Sequence, residues 1–135
     1  MFSQTVEYAL RAVVCLATDE ERLIGVPEIS TTMDVPSGYL VKVLQHLVRA
    51  GIVNSKRGKG GGFQLATAAS EISLLDVINA VDPIPRIKTC PLNLPAHCKK
   101  LCPLHSKLDA SYAEMEATYR DSFVSEMVEK PKRKR

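Results

Sequence analysis

The chain has 135 residues, a formal net charge of +3 and 45% hydrophobic residues, enough for one domain with a real core and one extra element. No apolar run approaches the ~20 residues of a membrane-crossing helix. The start, MFSQTVEYALRAVV, lacks the basic region and small-residue cleavage site of a signal peptide.

A cytoplasmic protein is therefore expected, without a membrane partner. In that compartment clustered cysteines point to metal or redox work rather than to structural disulfides.

The spacing predicts a first helix over 5–18, with Leu10, Val13, Val14 and Ala17 recurring on one stripe. Cys15 falls in it and reads as a small buried thiol. A second helix is predicted over 26–33, with Pro27 tolerated in its first turn. DVPSG is a turn, and a third helix follows over 39–50. Its apolar set is Leu40, Val43, Leu44, Leu47 and Val48, and Gly51 sits where a C-terminal cap belongs. Helix, short turn, helix is the helix-turn-helix signature.

The sequel sharpens that reading. Residues 52–56 and 63–66 read as strands joined by a GKGGG turn. A hairpin in this place makes a winged helix. Gly58, Gly60, Gly61 and Gly62 permit positive φ and close backbone approach to another molecule. Lys56, Arg57 and Lys59 put positive charge at the tip. A nucleotide loop is not expected, because GKGGG has neither the Walker lysine before Ser or Thr nor GxGxxG spacing before a helix.

Ser73 opens a further helix, paired with Asp76 in a capping box. Its Leu74, Leu75, Val77, Ile78 and Val81 are expected to face the wing and the first helix. A loop over 83–102 precedes a long helix predicted over 103–128. There Leu104, Leu108, Tyr112, Met115, Tyr119, Phe123 and Met127 step by three or four. A second copy is the natural cover for such a stripe, which predicts a homodimer. The tail, EKPKRKR, is a charge run expected to be disordered.

Three cysteines and a histidine fall within sixteen residues, Cys90, Cys98, Cys102 and His105, in the pattern C-x7-C-x3-C-x2-H. Thiolates and imidazole suit an iron–sulfur cluster, zinc or copper. Zinc sites usually offer two close pairs, and only Cys102 and His105 form one. Wider spacing troubles a cluster less. The residues alone leave open a cluster, a metal-free thiol switch and zinc, with the cluster foremost. His97 and His46 read as exposed surface residues. No paired carboxylates or nucleophile–base pair suggest an enzyme. A cluster carrier or electron-transfer protein is the alternative from another class, but it would have no use for a basic wing.

Taken together, TVEYALRAV, SGYLVKVLQHLVRAGIV, SKRGKGGGFQLA, LLDVINAVD and the final CPLH resemble the Rrf-type (IscR/NsrR-like) bacterial transcription regulators along nearly the whole chain. That resemblance implies a dimeric winged helix binding near-palindromic operators in double-stranded DNA, commonly as a repressor. It also implies an iron–sulfur cluster, 2Fe–2S or 4Fe–4S, controlling DNA affinity. Its thiolate ligands match Cys90, Cys98 and Cys102. The fourth ligand matches either His105 or, from the other subunit's first helix, Glu7, with Glu7 slightly favoured. The middle cysteine departs from the frequent x5 and x5 spacing. Val41 stands where some members carry an operator-selecting glutamate, and Arg57 matches a wing arginine that enters the minor groove.

The expected architecture is mainly α with a small β-hairpin: a winged helix-turn-helix over 1–82, a cysteine-rich sensor loop over 83–102, a dimerisation helix over 103–128 and a basic tail over 129–135. Ser37, Gly38, Tyr39 and Lys42 are expected to meet the major groove. Arg49, Lys56 and Lys59 are expected on phosphates, and Arg57 with Gly60 at the wing tip in the minor groove.

Overall fold

The computed structural model describes residues 2–85 and 103–128. The helices are α1 (Gln4–Ala17), α2 (Val26–Met33), α3 (Ser37–Arg49), α4 (Leu74–Val81) and α5 (Pro103–Arg120). The strands are β1 (Val53–Lys56) and β2 (Gly62–Leu65), and 3-10 turns occupy Ala69–Glu71 and Val124–Met127. Among the described residues this is the expected mainly helical fold with one small antiparallel hairpin. No described helix is long and apolar enough to cross a membrane.

α1 starts at Ser3, whose hydroxyl accepts from the Val6 N–H at 3.3 Å. Its fully buried line runs Val6, Ala9, Val13 and Leu16, while Leu10 and Val14 are only half-buried. The stripe is thus turned from the expected one, because α1 is packed on two sides, by α3 and by α4. Cys15 is buried as expected. Burial pushes its thiol up, so it stays protonated and a poor nucleophile. Beyond α1, Arg22 donates to both Glu28 carboxylate oxygens, at 2.9 and 2.6 Å, and that hydrogen bonding lowers the Glu28 pKa.

α2 has the expected bounds. It ends on Asp34, the one non-glycine residue at positive φ (54°) among the described residues. α3 begins two residues earlier than expected, with Pro36 as its N-cap. It buries Leu40, Val43, Leu44 and Leu47. Its end is a Schellman motif: Ile52 N–H donates to Leu47 O and Gly51 N–H to Val48 O, both at 3.0 Å, with Gly51 at φ +78°.

β1 and β2 pair from Val53↔Leu65 to Lys56↔Gly62. Ile24 adds a one-residue third strand. Its N–H donates to Phe63 O at 2.8 Å and its carbonyl accepts from Phe63 N–H at 2.9 Å. The core gathers Leu16, Ile24, Ile29, Leu40, Leu44, Leu47 and Ile78, all essentially without solvent contact.

The Ser73–Asp76 capping box is present. Ser73 Oγ accepts from Asp76 N–H, and Asp76 Oδ2 accepts from Ser73 N–H, both at 3.0 Å. Such a cap contributes about 1 kcal/mol. The main neighbours of α4 are α1, α3 and α5 rather than the wing.

The last helix departs from expectation. α5 stops at Arg120 and does not reach 128. The chain extends at Ser122 and Phe123, where Leu74 N–H donates to Ser122 O and Val124 N–H to Ile72 O. Phe123 thereby pairs with Ser73, and Val124 becomes fully buried. Two backbone hydrogen bonds and a core side chain outweigh another turn of helix. Along α5 itself Leu108, Tyr112, Met115 and Tyr119 are half-buried, and Leu104 is exposed. The tail 129–135 lies outside the described residues.

Candidate nucleic-acid interface

Burying Leu40, Val43, Leu44 and Leu47 turns the other side of α3 outward. Ser37, Gly38, Tyr39, Lys42 and Arg49 are all exposed there, Tyr39 at 56%. The start of α3 has no side-chain N-cap. Side chains from α2 and α1 fix it instead. Ser30 Oγ donates to Val35 O at 2.6 Å, and Ser37 Oγ lies 3.2 Å from Ser30 Oγ. Arg11 donates to Asp34 O at 3.2 Å.

The hairpin tip carries Lys56, Arg57, Lys59 and Gly60, all exposed. Its glycines divide into two kinds. Gly58 and Gly60 have positive φ, 96° and 77°, and open space around them. A Cβ on Gly61 would stand 2.2 Å from Lys56 O, and one on Gly62 would stand 2.8 Å from the Ile24 carbonyl group. The close approach expected toward another molecule is, at Gly61 and Gly62, an approach to the protein's own backbone.

An open cleft of about 570 Å³ runs between α3 and the wing. Val26, Gln45, Arg49, Lys56, Arg57 and Phe63 line it. Three cations from two elements thus share one concavity, and the wing tip and the exposed side of α3 flank it. Clefts lined by one sign of charge focus the field and suit a polyanion.

The expected sensor residues are not seen as one site. Cys90, Cys98 and Cys102 lie outside the described residues. His105 is buried in the first turn of α5, and Glu7 is exposed in the first turn of α1. Among the described residues no three His, Cys, Asp or Glu side chains come together as a metal site. Sequence reasoning passed over Tyr8 and Arg11. Tyr8 is buried, meets Tyr39 ring to ring at 5.9 Å and lies beneath the Arg11 guanidinium at 5.7 Å. No local pattern marks them, because the contact with Asp34 spans 23 positions.

Comparison with known proteins agrees with this arrangement. Residues 2–130 match the family described as Rrf2, iron-dependent transcriptional regulator. A protein of Aquifex aeolicus described as an HTH-type transcriptional regulator is 30% identical over 132 residues, covering 95% of this chain and 91% of that protein. In fold, the chain is similar to CymR (YrzC), the global cysteine regulator of B. subtilis, with a TM-score of 0.76, 21% identity and coverage of 94% and 95%. It is also similar to T. potens IscR, with a TM-score of 0.77, 21% identity and coverage of 94% and 85%.

Proposed function

Since this chain belongs to the Rrf2 family of transcriptional regulators, we propose that it is a homodimeric repressor of the cytoplasm that binds near-palindromic double-stranded DNA, with an affinity set by an iron–sulfur cluster on Cys90, Cys98 and Cys102. The observation that carries the DNA reading is the cleft in which Arg49 of α3 and Lys56 and Arg57 of the wing converge beside an exposed α3. In this reading Ser37, Gly38, Tyr39 and Lys42 face base edges in the major groove. Arg49, Lys56 and Lys59 hold phosphates and set register. Arg57, with Gly60 giving backbone access, enters the minor groove, where a cation is favoured.

Arg57→Ala is expected to weaken operator binding by roughly 1–3 kcal/mol, the range for a base-directed contact. The fold should persist, because Arg57 is exposed at the tip. Fluorescence anisotropy against circular dichroism melting separates the two effects, and unchanged affinity removes Arg57 from the interface.

The dimer reading rests on α5. Its apolar positions Leu108, Tyr112, Met115 and Tyr119 are only half-covered within one chain, and Leu104 is exposed at 38%. A second α5 is the cover of matching character. Sedimentation should give twice the 14.8 kDa chain mass. A stable monomer at micromolar protein would refute it.

The cluster reading rests on the donor set. Three thiolates supply soft ligands, and Cys102 directly precedes α5. Glu7 is exposed and open to a partner subunit, whereas His105 is already packed inside its own chain, so Glu7 is the favoured fourth ligand. When bound, a cluster supplies a centre sensitive to oxidants and small ligands. Protein reconstituted anaerobically with iron and sulfide should absorb in the visible. Cys90→Ala, Cys98→Ala and Cys102→Ala should each abolish that absorbance, and Cys15→Ala should leave it. Glu7→Ala and His105→Ala, made separately, then identify the fourth ligand. Colourless protein that still binds its operator would replace the cluster with a metal-free thiol switch.

A further inference from the structure

The turn before α3 and the exposed ring at its start are both held by α1. Arg11 Nη1 donates to the carbonyl of Asp34, the residue at φ 54°. The same guanidinium lies over the ring of Tyr8, 5.7 Å from its centroid. Tyr8 is buried and fixed at its far end, where its hydroxyl accepts from Gln4 Nε2 at 2.9 Å. Its ring meets Tyr39 at 5.9 Å and 55°. Tyr39 is otherwise open to solvent. An exposed aromatic side chain samples several rotamers unless a neighbour selects one. Here the selecting neighbour is Tyr8, and Arg11 holds Tyr8 and the α2–α3 turn together through two contacts. A planar guanidinium can stack and donate at once, which an ammonium cannot do in the same geometry.

We infer that Arg11 and Tyr8 are positioning residues that set sequence discrimination by α3, by fixing the Tyr39 ring and the angle at which α3 leaves its turn. The inference rests on the DNA-binding reading above. It assigns a role to α1 that does not require α1 to touch a base.

The test begins with duplexes selected from random DNA by the wild-type protein. If no sequence is enriched, the DNA-binding reading itself fails, and this inference with it. Given an enriched operator, affinities are measured for it and for a scrambled duplex, across a salt series. Arg11→Lys keeps the charge and Arg11→Met removes it. Both are expected to lower the operator-to-scrambled ratio by about fivefold or more, the lower end of what one base contact discriminates. Arg11→Lys should retain wild-type affinity for scrambled DNA and the wild-type salt slope. Adding Arg11→Lys to Tyr39→Leu should lower the ratio by less than the product of the two single effects. Three results would overturn the inference. One is a loss with Arg11→Met that is uniform over all sequences and restored by Arg11→Lys, which would make Arg11 a phosphate contact. Another is a lowered melting temperature with an unchanged ratio, which would make it structural only. The third is full additivity with Tyr39→Leu.

Discussion

Gly61→Ala should cost the protein its wing, and with it more than tenfold in operator affinity. A methyl group there would stand 2.2 Å from Lys56 O and 2.9 Å from Gly58 O. Both obstacles are backbone, so no rotamer change relieves them. The hairpin must open between β1 and its turn, which loosens Lys56 and Arg57 together. Steric strain of this kind costs on the order of 1–3 kcal/mol locally, and an interface reading through Arg57 loses its geometry as well. Gly60→Ala is the matched control, since its φ of 77° is strained for alanine but the space around it is open. It should cost about 1 kcal/mol. Anisotropy with the operator, alongside hydrogen exchange of the Lys56 and Gly61 amides, measures both effects. Wild-type binding by Gly61→Ala would show that the turn shifts to admit a Cβ without disturbing Lys56 and Arg57.

Leu44→Ala should lower global stability by about 2–5 kcal/mol, the range for a buried leucine truncated to alanine. Leu44 has no solvent exposure and belongs to the buried side of α3, a helix packed on α1, α2 and α4. Domains of this size are stable by only about 5–15 kcal/mol. The variant should therefore unfold at a much lower urea concentration, with an unchanged slope if two-state behaviour holds. Its operator affinity at low temperature should stay near wild type, because no exposed residue of α3 is altered. A shift in urea midpoint worth less than 1 kcal/mol would show that the site can collapse around the missing methyl groups.

Where local chemistry punctuates the chain, the structure was readable in advance. α2 kept its expected bounds because Gly25 and Pro27 start it and Asp34 stops it within a few residues. The end of α3 followed from Gly51, and the cap of α4 from Ser73 and Asp76. The cationic tip was visible as Lys56, Arg57 and Lys59 among glycines. What escaped depends on distant partners. Phe123 and Met127 continue the apolar spacing of α5, yet Val124 is wanted in the core and Phe123 pairs with Ser73, fifty positions away. Periodicity reports that a residue is apolar, not which surface claims it. Tyr8 and Arg11 escaped for the same reason. The glycine run looked uniform in sequence, and only the approach of Lys56 O and of Ile24 separates Gly61 and Gly62 from Gly58 and Gly60.

The pair of hydrogen bonds between Ile24 and Phe63 has a mechanical consequence. It rivets β2, one residue from the turn, to the segment between α1 and α2. The wing is therefore no independent arm that swings in and out of a groove, and it travels with the helices as one solid head. In the proposed dimer, a signal entering beside α5 has no loose digit to curl or straighten. It acts on the span and tilt between two heads, so operators with altered half-site spacing should respond to it more strongly than operators with altered half-site sequence.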